Sequence, residues 1–470
     1  MTSKGSAAGA PAVPLHPDPE WDALCDSELL PELSHAFGGP YHLLLPHRFD
    51  ANVAAFRAVL ADLDVPGALR FAKKANKAAV WVECCAAAGI GVDVASVGEL
   101  QQALGHGVPG PDIVVTGPAK ADDLLRLATA QGCLITVDAL EEIDRLLAIA
   151  PAARPRVLLR VHPPQQPASR FGLTGPEVER ALHRCARAGA ALRMEGLSFH
   201  LAGYAVPPRA ALAAHLVGVC ARARGLGLPA DLIGIGGGFP VDYVPRAAWR
   251  DFLAHQQPAH YHAGKTFHTD DFYPYHSPTP GAEALRALLT TVPPGHHATV
   301  AEQLRAAGHR VLLEPGRALL DRAGCTVFRI QGVKHRPAGD APPGRPGEQP
   351  APYGLLTVDG TSLSLSEQWF NSEFVPDPVL VTPAGRARPG RPYPACVVGA
   401  SCLESDVLTW RKIIFPDRPA RGDLLVYGNT AGYQMDSNES SFHDLALPPK
   451  VVVESIADRP RWRLDRRTPH

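Results

Sequence analysis

The feature that most restricts the fold is an alternation of short apolar segments with amphipathic helix patterns along the first two thirds of the chain. The apolar segments, typical of buried parallel strands, are 41–45, 68–73, 91–95, 113–116, 134–137, 156–161, 194–200, 230–235 and 311–313. Between them, apolar residues recur at helical spacing in 121–131, 140–149, 176–188 and 208–224. About eight or nine such units predict a closed (β/α)8 barrel of the TIM type, with an open doubly wound sheet as the alternative.

The sequence changes character after Glu314. Short segments with period-two patterning are separated by loops rich in Pro and Gly, which predicts an all-β, barrel-like C-terminal domain. The predicted strands are 326–333, 354–358, 378–381, 395–398, 423–427 and 451–453. We therefore expect a barrel over 40–313 and a β domain over 314–470.

Four other segments have compositions that suggest their structure. The first 19 or so residues are rich in Ala, Pro, Gly and Ser, which predicts disorder. Residues 24–37 predict a helix that leads into the first barrel strand. The loop 336–352 is rich in Pro and Gly and is expected to be mobile, and the basic end of the chain, RPRWRLDRR, is expected to be a solvated tail.

Charge and cysteine content exclude several classes of function. Lys plus Arg number 46 and Asp plus Glu 47, so the net charge of -1 does not favour a nucleic acid or an anionic membrane. The nine cysteines have no paired spacing, which favours a reducing compartment over a disulfide framework. We find no signal-like apolar run and no 18-residue apolar stretch, and we therefore expect a cytoplasmic protein.

Polar residues at the ends of the predicted strands are the candidates for chemistry, because barrel enzymes place their active sites there. Lys74 follows the second apolar segment, and a buried amine loses its proton easily enough to form a Schiff base with a carbonyl cofactor. The alternative is a solvated surface lysine, which we expect of Lys73 and Lys77. Asp93 ends the next strand, and Glu99 opens the helix after it.

Later strand ends carry a second group of candidates. They are Arg160, His200, the run Gly236, Gly237 and Gly238, and the turn that contains Glu314, Gly316 and Arg317. Three glycines allow backbone N–H groups to approach a phosphate, and an arginine adds a charged fork. Taken singly, an ordinary turn, a core histidine or a structural ion pair between Glu314 and Arg317 would explain them equally well.

Taken together, these residues meet the requirements of pyridoxal 5'-phosphate (PLP). This cofactor needs a lysine for its aldehyde, a phosphate site, an acid beside its ring nitrogen and a group that covers the ring face. Lys74, the glycine run with Arg317, Glu314 and His200 would fill those places. Glu314 matters most, because a carboxylate beside the nitrogen favours the protonated ring that withdraws electrons.

The same motifs resemble the fold type III PLP enzymes, in particular the diaminopimelate and ornithine decarboxylase group. The matching segments occur in the family's order and are KAN at Lys74, DVAS-GEL at 93–100, GPAK at 117–120, SRFG at 169–172, FH at His200, GGGFP at 236–240 and EPGR at 314–317. The resemblance covers roughly residues 40–450. It implies a barrel joined to a β domain that includes N-terminal residues 1–39, and a homodimer with active sites at the subunit interface.

The resemblance also assigns roles in the second half of the chain. Residues 399–406, GASCLESD, are similar to a decarboxylase segment whose cysteine enters the partner's active site and helps to return a proton to carbon; here it is Cys402. Tyr433 matches a phosphate ligand, and Glu404 and Asp406 are candidate substrate contacts. We expect decarboxylation of an amino acid or derivative, with a racemase or epimerase as the alternative. A non-catalytic PLP-binding protein is less favoured because this chain has the second domain with Cys402.

Three departures from the family pattern bear on the substrate. His200 is followed by Leu201, Ala202 and Gly203 instead of a segment with Gly-Ser. The acid that follows the cysteine in the family, and reaches the distal amine of the substrate, is Leu403 here. Residues 359–374 replace an arginine-bearing segment, which weakens the case for diaminopimelate. A modified, conjugated or carrier-bound amino acid therefore stays open.

An insertion at about 241–300 is the largest departure. Gly238 and Glu314 are 76 positions apart, more than one helix and its loops require. The segment contains His260, His262, His268, Asp270, Asp271 and His276 together with several aromatic residues. We expect a lid or a loop that determines substrate specificity, and less favour a metal site because the ligands lack a tight spacing.

Overall fold

The computed structural model describes residues 9–149, 153–336, 352–365, 372–383, 391–435, 440–455 and 460–465. Its strands are β1 Tyr41–Leu44, β2 Gly67–Ala72, β3 Gly91–Val94, β4 Ile113–Val115, β5 Leu134–Val137, β6 Arg156–Arg160, β7 Arg193–Ser198, β8 Leu232–Gly236, β9 Arg310–Leu313, β10 Gly324–Arg336, β11 Tyr353–Val358, β12 Val379–Val381, β13 Tyr393–Val398, β14 Val407–Phe415, β15 Leu424–Gly428, β16 Lys450–Ser455 and β17 Arg461–Leu464. Its helices are α1 Pro19–Cys25, α2 Leu29–Phe37, α3 Pro46–Asp62, α4 Ala79–Ala88, α5 Val97–Gly105, α6 Asp122–Ala130, α7 Leu140–Ile149, α8 Gly175–Ala188, α9 Val206–Gly225, α10 Arg246–His255, α11 Gly281–Thr290 and α12 Val300–Ala306. Predictions for residues 1–8, for the loop 337–351, for 366–371 and for the chain beyond 465 lie outside the described residues.

The chain divides into a barrel unit and a sheet unit. The barrel unit contains His47–Pro240 and Thr279–Leu319, and the sheet unit contains Met1–Pro46, Val241–Pro278 and Leu320–Asp465. In the described part of the chain, no helix is both long and apolar enough to cross a membrane.

The barrel unit is a closed ring of the eight parallel strands β2 to β9. The ring closes because β2 pairs with β3 on one side and with β9 on the other. Most of these strands are buried along nearly their whole length, as expected for parallel strands covered on both faces. The predicted (β/α)8 barrel with a separate β domain is confirmed.

Local sequence signals set where several barrel helices begin. Ser96 caps α5, because its hydroxyl accepts a hydrogen bond from the Glu99 amide. Thr174 and Glu177 form a capping box at the start of α8, where proline also occupies the first turn. Each cap satisfies backbone N–H groups that would otherwise lack a partner.

The barrel interior is filled by large aliphatic side chains from neighbouring strands. Its central cluster consists of Val114, Leu134, Leu158, Leu232 and Leu312. All are buried, so this part of the barrel is a packed core and leaves polar chemistry to the strand ends.

The first predicted barrel strand is wrong. Strand β1 pairs antiparallel with β10 and parallel with β16, so it belongs to the sheet unit. Its apolar pattern identified a buried strand correctly, but a pattern of four residues contains no information about which sheet receives it. The barrel begins at β2.

The sheet unit contains one nine-stranded sheet in the order β14-β13-β11-β10-β1-β16-β17, with β15 pairing β10 and β12. The six predicted strands of this region are present. Strand β14 was not predicted from the sequence. The predicted solvated tail is wrong for Arg461–Leu464, which form β17 and pair with β16.

The N-terminal segment packs against this sheet. Where one helix over 24–37 was predicted, two are found, α1 and α2, and leucines of α2 join an apolar cluster with Leu43 and Val327. The prediction of disorder is also wrong for the described residues 9–18. Val13 is fully buried, and its amide donates to Asp377 Oδ2 at 2.7 Å.

The insertion is shared between the two units. Val241–Pro278 belongs to the sheet unit, where Tyr261 forms a β-bridge with Arg411 of β14. Helices α11 and α12, which follow, belong to the barrel unit. In the described residues, no group of three His, Cys, Asp or Glu side chains is arranged to hold a metal ion. The lid remains a prediction.

A buried arginine joins three parts of the sheet unit. Arg411 is fully buried and forms ion pairs with Glu373 at 3.2 Å and with Asp377 at 2.8 Å. It also donates to the carbonyl oxygens of Pro11 and Val375. Because Glu373 is itself buried, its charge depends on this partner.

We expect Arg411→Ala to lower the free energy of unfolding of the sheet unit by ~3–5 kcal/mol, because it leaves the Glu373 carboxylate buried without its cation. Urea unfolding followed by tryptophan fluorescence measures the change. The control is Arg463→Ala, which breaks an exposed pair with Glu454 and should cost ~1 kcal/mol or less. Equal losses in the two variants would contradict the assignment.

Candidate active site at the strand ends of the barrel

Lys74 lies just beyond the end of β2, in the short 3-10 helix Lys73–Ala75. Its side chain is exposed, so the buried amine expected at Lys74 is wrong. Lys73 is only 1% exposed, so the surface position predicted for Lys73 is wrong as well. The amide of Ala72 donates to the carbonyl of Pro315 at 3.1 Å. This bond ties the lysine-bearing turn to the turn that carries Glu314.

Asp93 lies beside this turn because β3 pairs in register with β2, placing Asp93 opposite Ala72. Its carboxylate accepts a hydrogen bond from Thr116 Oγ1 at 2.7 Å. Burial raises the pKa of Asp93, while the positive charge of Lys74 and the bond from Thr116 oppose this rise. The lysine is therefore close enough to act on the carboxyl group.

Glu314 follows β9, and its amide donates to the carbonyl of Gly236 at 3.0 Å. Burial and, next, the negative charge of Asp93 raise the pKa of Glu314 to about 8, against the opposing charges of Lys74 and Arg160. The structure thus brings two carboxyl groups and two cations to one end of the barrel. A positive charge placed beside the two acids would be stabilised by both.

His200 carries a neutral imidazole at physiological pH. Burial, together with the nearby charges of Lys74, Arg160 and Arg209, lowers its pKa to about 3. A neutral ring suits contact with the face of an aromatic group and makes His200 a poor proton donor.

The glycine run after β8 packs so closely that side chains do not fit. A Cβ on Gly236 would lie 2.7 Å from the Phe199 carbonyl oxygen, and one on Gly237 the same distance from the Glu314 carbonyl oxygen. Gly236 and Gly238 also have positive φ angles of 74° and 78°. The run therefore keeps its backbone free of side chains at the barrel end, as a phosphate site requires.

Arg209 supports this glycine run from α9. The side chain is 3% exposed, and its guanidinium donates to the carbonyl oxygens of Gly237, Leu201 and Gly203 at 2.8, 2.6 and 2.6 Å. It thereby holds the glycine run and the segment after His200 together. No motif in the sequence indicated this residue.

A chain of buried charges supports Arg160. Lys120 and Glu142 form an ion pair of 3.0 Å, and both side chains are at most 1% exposed. Glu142 accepts from the amide of Asp138 at 2.7 Å, and the Asp138 carboxylate lies 3.3 Å from the Arg160 guanidinium. Asp138 directly follows β5, so the rule that found Asp93 could also have found it.

Arg317 begins a short 3-10 helix directly after Gly316 and is 7% exposed. It is therefore a buried cation at the same end of the barrel as Glu314. All predicted site residues up to Arg317 lie in the barrel unit.

The remaining predicted residues lie in the sheet unit. Cys402 is exposed, and its amide donates to His443 Nε2 at 3.3 Å. His443 has a positive φ of 61°, a strained conformation for a non-glycine residue, and it was not predicted. Tyr433 also has a positive φ, of 77°.

Asp406 and Glu404 differ in their surroundings. The Asp406 carboxylate accepts from the amides of Ser362 at 2.7 Å and Ser401 at 3.1 Å, so it braces the loop that carries Cys402. Glu404 is exposed, and Leu403 beside it is 51% exposed. The substrate contacts predicted for Glu404 and Asp406 remain predictions.

Comparison with known proteins identifies the family of the chain. The family model of the pyridoxal-binding domain of pyridoxal-dependent decarboxylases matches residues 48–267. An uncharacterised protein of Sinorhizobium fredii is 38% identical over 426 residues, which cover 90% of each chain. A diaminopimelate decarboxylase of Actinosynnema pretiosum is 27% identical over 90% of this chain and 85% of its own. The chain belongs to the fold type III family of PLP-dependent decarboxylases.

The solved structures show the same fold. Diaminopimelate decarboxylase from Helicobacter pylori, complexed with L-lysine, has a TM-score of 0.66 at 17% identity, over 91% of this chain and 93% of its own. Lysine/ornithine decarboxylase from Vibrio vulnificus, complexed with putrescine, has a TM-score of 0.64 at 22% identity, over 91% and 99%. Membership of the family makes this protein a carboxy-lyase that uses PLP.

The described residues fit that cofactor. The exposed Lys74 amine is accessible to an aldehyde, and the backbone of the glycine run is free of side chains. The Ser198 hydroxyl, at the end of β7, is buried without a hydrogen-bond partner. The two acids at Asp93 and Glu314 match a ring nitrogen that carries a proton.

The raised pKa of Glu314 predicts a pH effect on the cofactor-free protein. Between its ordinary value of about 4.5 and the folded value of about 8, the folded state binds more protons than the unfolded state, so stability decreases as the pH rises. Glu314→Gln removes this dependence. The variant should gain thermal stability over the wild type at pH 8.5 and gain least at pH 4.5. A gain that does not change with pH would contradict the assignment.

Proposed function

We propose that this protein decarboxylates an amino acid or amino-acid derivative, at an active site formed where two copies of the chain meet. The observation that carries the proposal is the charge arrangement at the barrel end. There, Lys74 acts electrostatically on the acids Asp93 and Glu314 and on the neutral His200. The family membership supports the reaction type.

Each part of the site would hold one part of the cofactor. Lys74 would bind the aldehyde carbon, and Glu314 would hold a proton at the ring nitrogen. The glycine run, Arg317 and Tyr433 would bind the phosphate, and His200 would cover the ring face. When bound, PLP accepts the electron pair that remains at the α-carbon after carbon dioxide leaves.

The second task of the protein is to return a proton to that carbon. Cys402 is exposed and therefore available to a second copy of the chain, and its thiol would supply the proton there. Lys74 is the alternative donor within the same chain. Arg160, fixed through Asp138 and Glu142, would keep its positive charge directed at the acids during the reaction.

The position after Cys402 bears on the substrate. An exposed leucine, Leu403, offers no charge to a distal ammonium group. This favours an amino acid whose far end is modified, conjugated or carrier-bound. We also propose that the protein is a homodimer and that it is cytoplasmic. The cytoplasmic location is consistent with the nine cysteines, all of which are free.

Lys74→Ala should abolish both carbon dioxide release and the visible absorbance of protein-bound PLP, because no other residue is proposed to bind the aldehyde. Absorbance spectra after reconstitution, and mass spectrometry of reactions with a panel of amino acids and derivatives, test this. Lys77→Ala, an exposed lysine three positions away, is the matched control and should keep both signals. Retained turnover in Lys74→Ala would refute the scheme.

Cys402→Ala should keep bound PLP but slow product formation by about 10- to 1000-fold, or divert it to a transamination product, because proton return loses its donor. Cys84→Ala, at the half-buried cysteine of α4, should be close to wild type. Carbon dioxide release and the optical rotation of the substrate are followed together. If optical rotation is lost and no carbon dioxide is released, the reaction is a racemisation and the proposed decarboxylation is wrong.

A further inference from the structure

The sheet unit contains a group of cationic and aromatic side chains that the proposed reaction does not use. We call it the basic cluster, and it consists of His262, Lys265, Tyr353, Trp410 and Lys412. His262 and Lys265 come from the insertion, Tyr353 from β11, and Trp410 and Lys412 from β14. The insertion thus brings two basic residues to the surface of the strands.

Lys412 is the most unusual member. The residue is 4% exposed, yet within the described ranges its Nζ bonds only to the carbonyl of Ala259, at 2.8 Å, and it lies 4.5 Å from the centre of the Tyr353 ring. Among the described residues, no carboxylate forms an ion pair with it. Burial lowers the pKa of Lys412, and the thiol of Cys396 opposes this shift. A buried ammonium group without a counter-charge is costly, which makes an anion a favourable neighbour.

Lys265 adds a second cation that is only partly enclosed. Its Nζ lies 3.9 Å from the centre of the Trp410 ring. Burial lowers the pKa of Lys265, and the opposing acid is Glu373. That acid already forms a buried pair with Arg411, so it leaves the charge of Lys265 largely uncompensated.

The pKa of His262 responds to the positive charges around it. Burial lowers its pKa, and the charges of Arg336 and Lys412 lower it further, while Glu404 alone opposes them. Its Nδ1 lies 2.8 Å from the hydroxyl of Tyr353, and its ring stacks on Trp410 at an angle of 29°. The cluster is therefore held in place by its own contacts.

We infer that the basic cluster binds an anionic group, a carboxylate or a phosphate, carried by the substrate. Strand β14, which carries Trp410 and Lys412, begins five positions after Cys402, so the cluster and the proposed proton donor belong to one continuous segment of the sheet unit. The charge of Glu404, two positions after Cys402, acts on His262. The statement that the substrate carries this anionic group rests on the proposed function. The substrate class that follows is an amino acid with an acidic distal end, or one conjugated to an acidic group.

Calorimetric titration of the full-length, PLP-loaded protein with glutarate and with inorganic phosphate tests the site, at constant ionic strength. Loading with PLP fills the cofactor's own phosphate site. We expect saturable binding of at least one anion, weakened about tenfold or more in Lys265→Met and in Lys412→Met. Lys334→Met removes an exposed lysine of β10 outside the cluster and should change affinity less than about twofold.

The inference is overturned if neither anion binds below about 20 mM, or if Lys334→Met weakens binding as much as the cluster variants do. Lys265 is only half-buried, so Lys265→Met carries the test even if Lys412→Met does not fold. Carbon dioxide release is measured separately. If the protein releases carbon dioxide but does not bind the anions, this inference is wrong and the proposed function stands. If it binds the anions but releases no carbon dioxide, the proposed function is wrong and the anion site stands.

A second comparison identifies the source of the anion. L-2-aminoadipate and L-norleucine are matched in length and differ in the distal carboxylate, and each is titrated against the absorbance of bound PLP. We expect a preference of about tenfold for aminoadipate that is lost in Lys265→Met. Glutarate binding without this preference would mean that a free anion occupies the cluster, and would overturn the substrate-borne assignment.

Discussion

The repulsion between the carboxyl groups of Asp93 and Glu314 is the interaction on which the candidate barrel site depends. Asp93 and Glu314 come from strands separated by most of the barrel's sequence, and closure of the ring through β2 and β9 brings them together. Burial alone would favour neutral acids, and the cations Lys74 and Arg160 oppose it. The site is thus balanced close to a change of charge, which is what a cofactor with a protonatable ring requires.

Much of the fold follows from periodicity, and the exceptions have a common cause. Buried runs separated by helical patterns were sufficient to predict the barrel, because parallel strands are covered on both faces. The assignment of Tyr41–Leu44 failed because burial is equally complete in the sheet unit. The local sequence pattern indicates that a segment is buried. Which sheet the segment joins is determined by strand pairing between residues far apart in the sequence.

The site was predictable to the extent that it lies at strand ends. The strand-end rule indicated Lys74, Asp93, His200 and Glu314, and the structure places all four at one end of the barrel; their roles in the site stay predictions. Arg209 could not be, because it acts from within α9 through backbone carbonyl oxygens, and no side-chain motif records such bonds. The surface position expected for Lys73 was wrong because adjacent lysines in a 3-10 turn face different environments.

The interleaved order of the two units has a consequence for synthesis on the ribosome. All eight barrel strands have been translated by Leu313, whereas β1 pairs with β10, which is made about 280 positions after it. The barrel can therefore close while β1 still has unsatisfied backbone groups and an apolar surface. During that interval the N-terminal strand has an unpaired edge, which is the kind of surface through which incomplete chains associate.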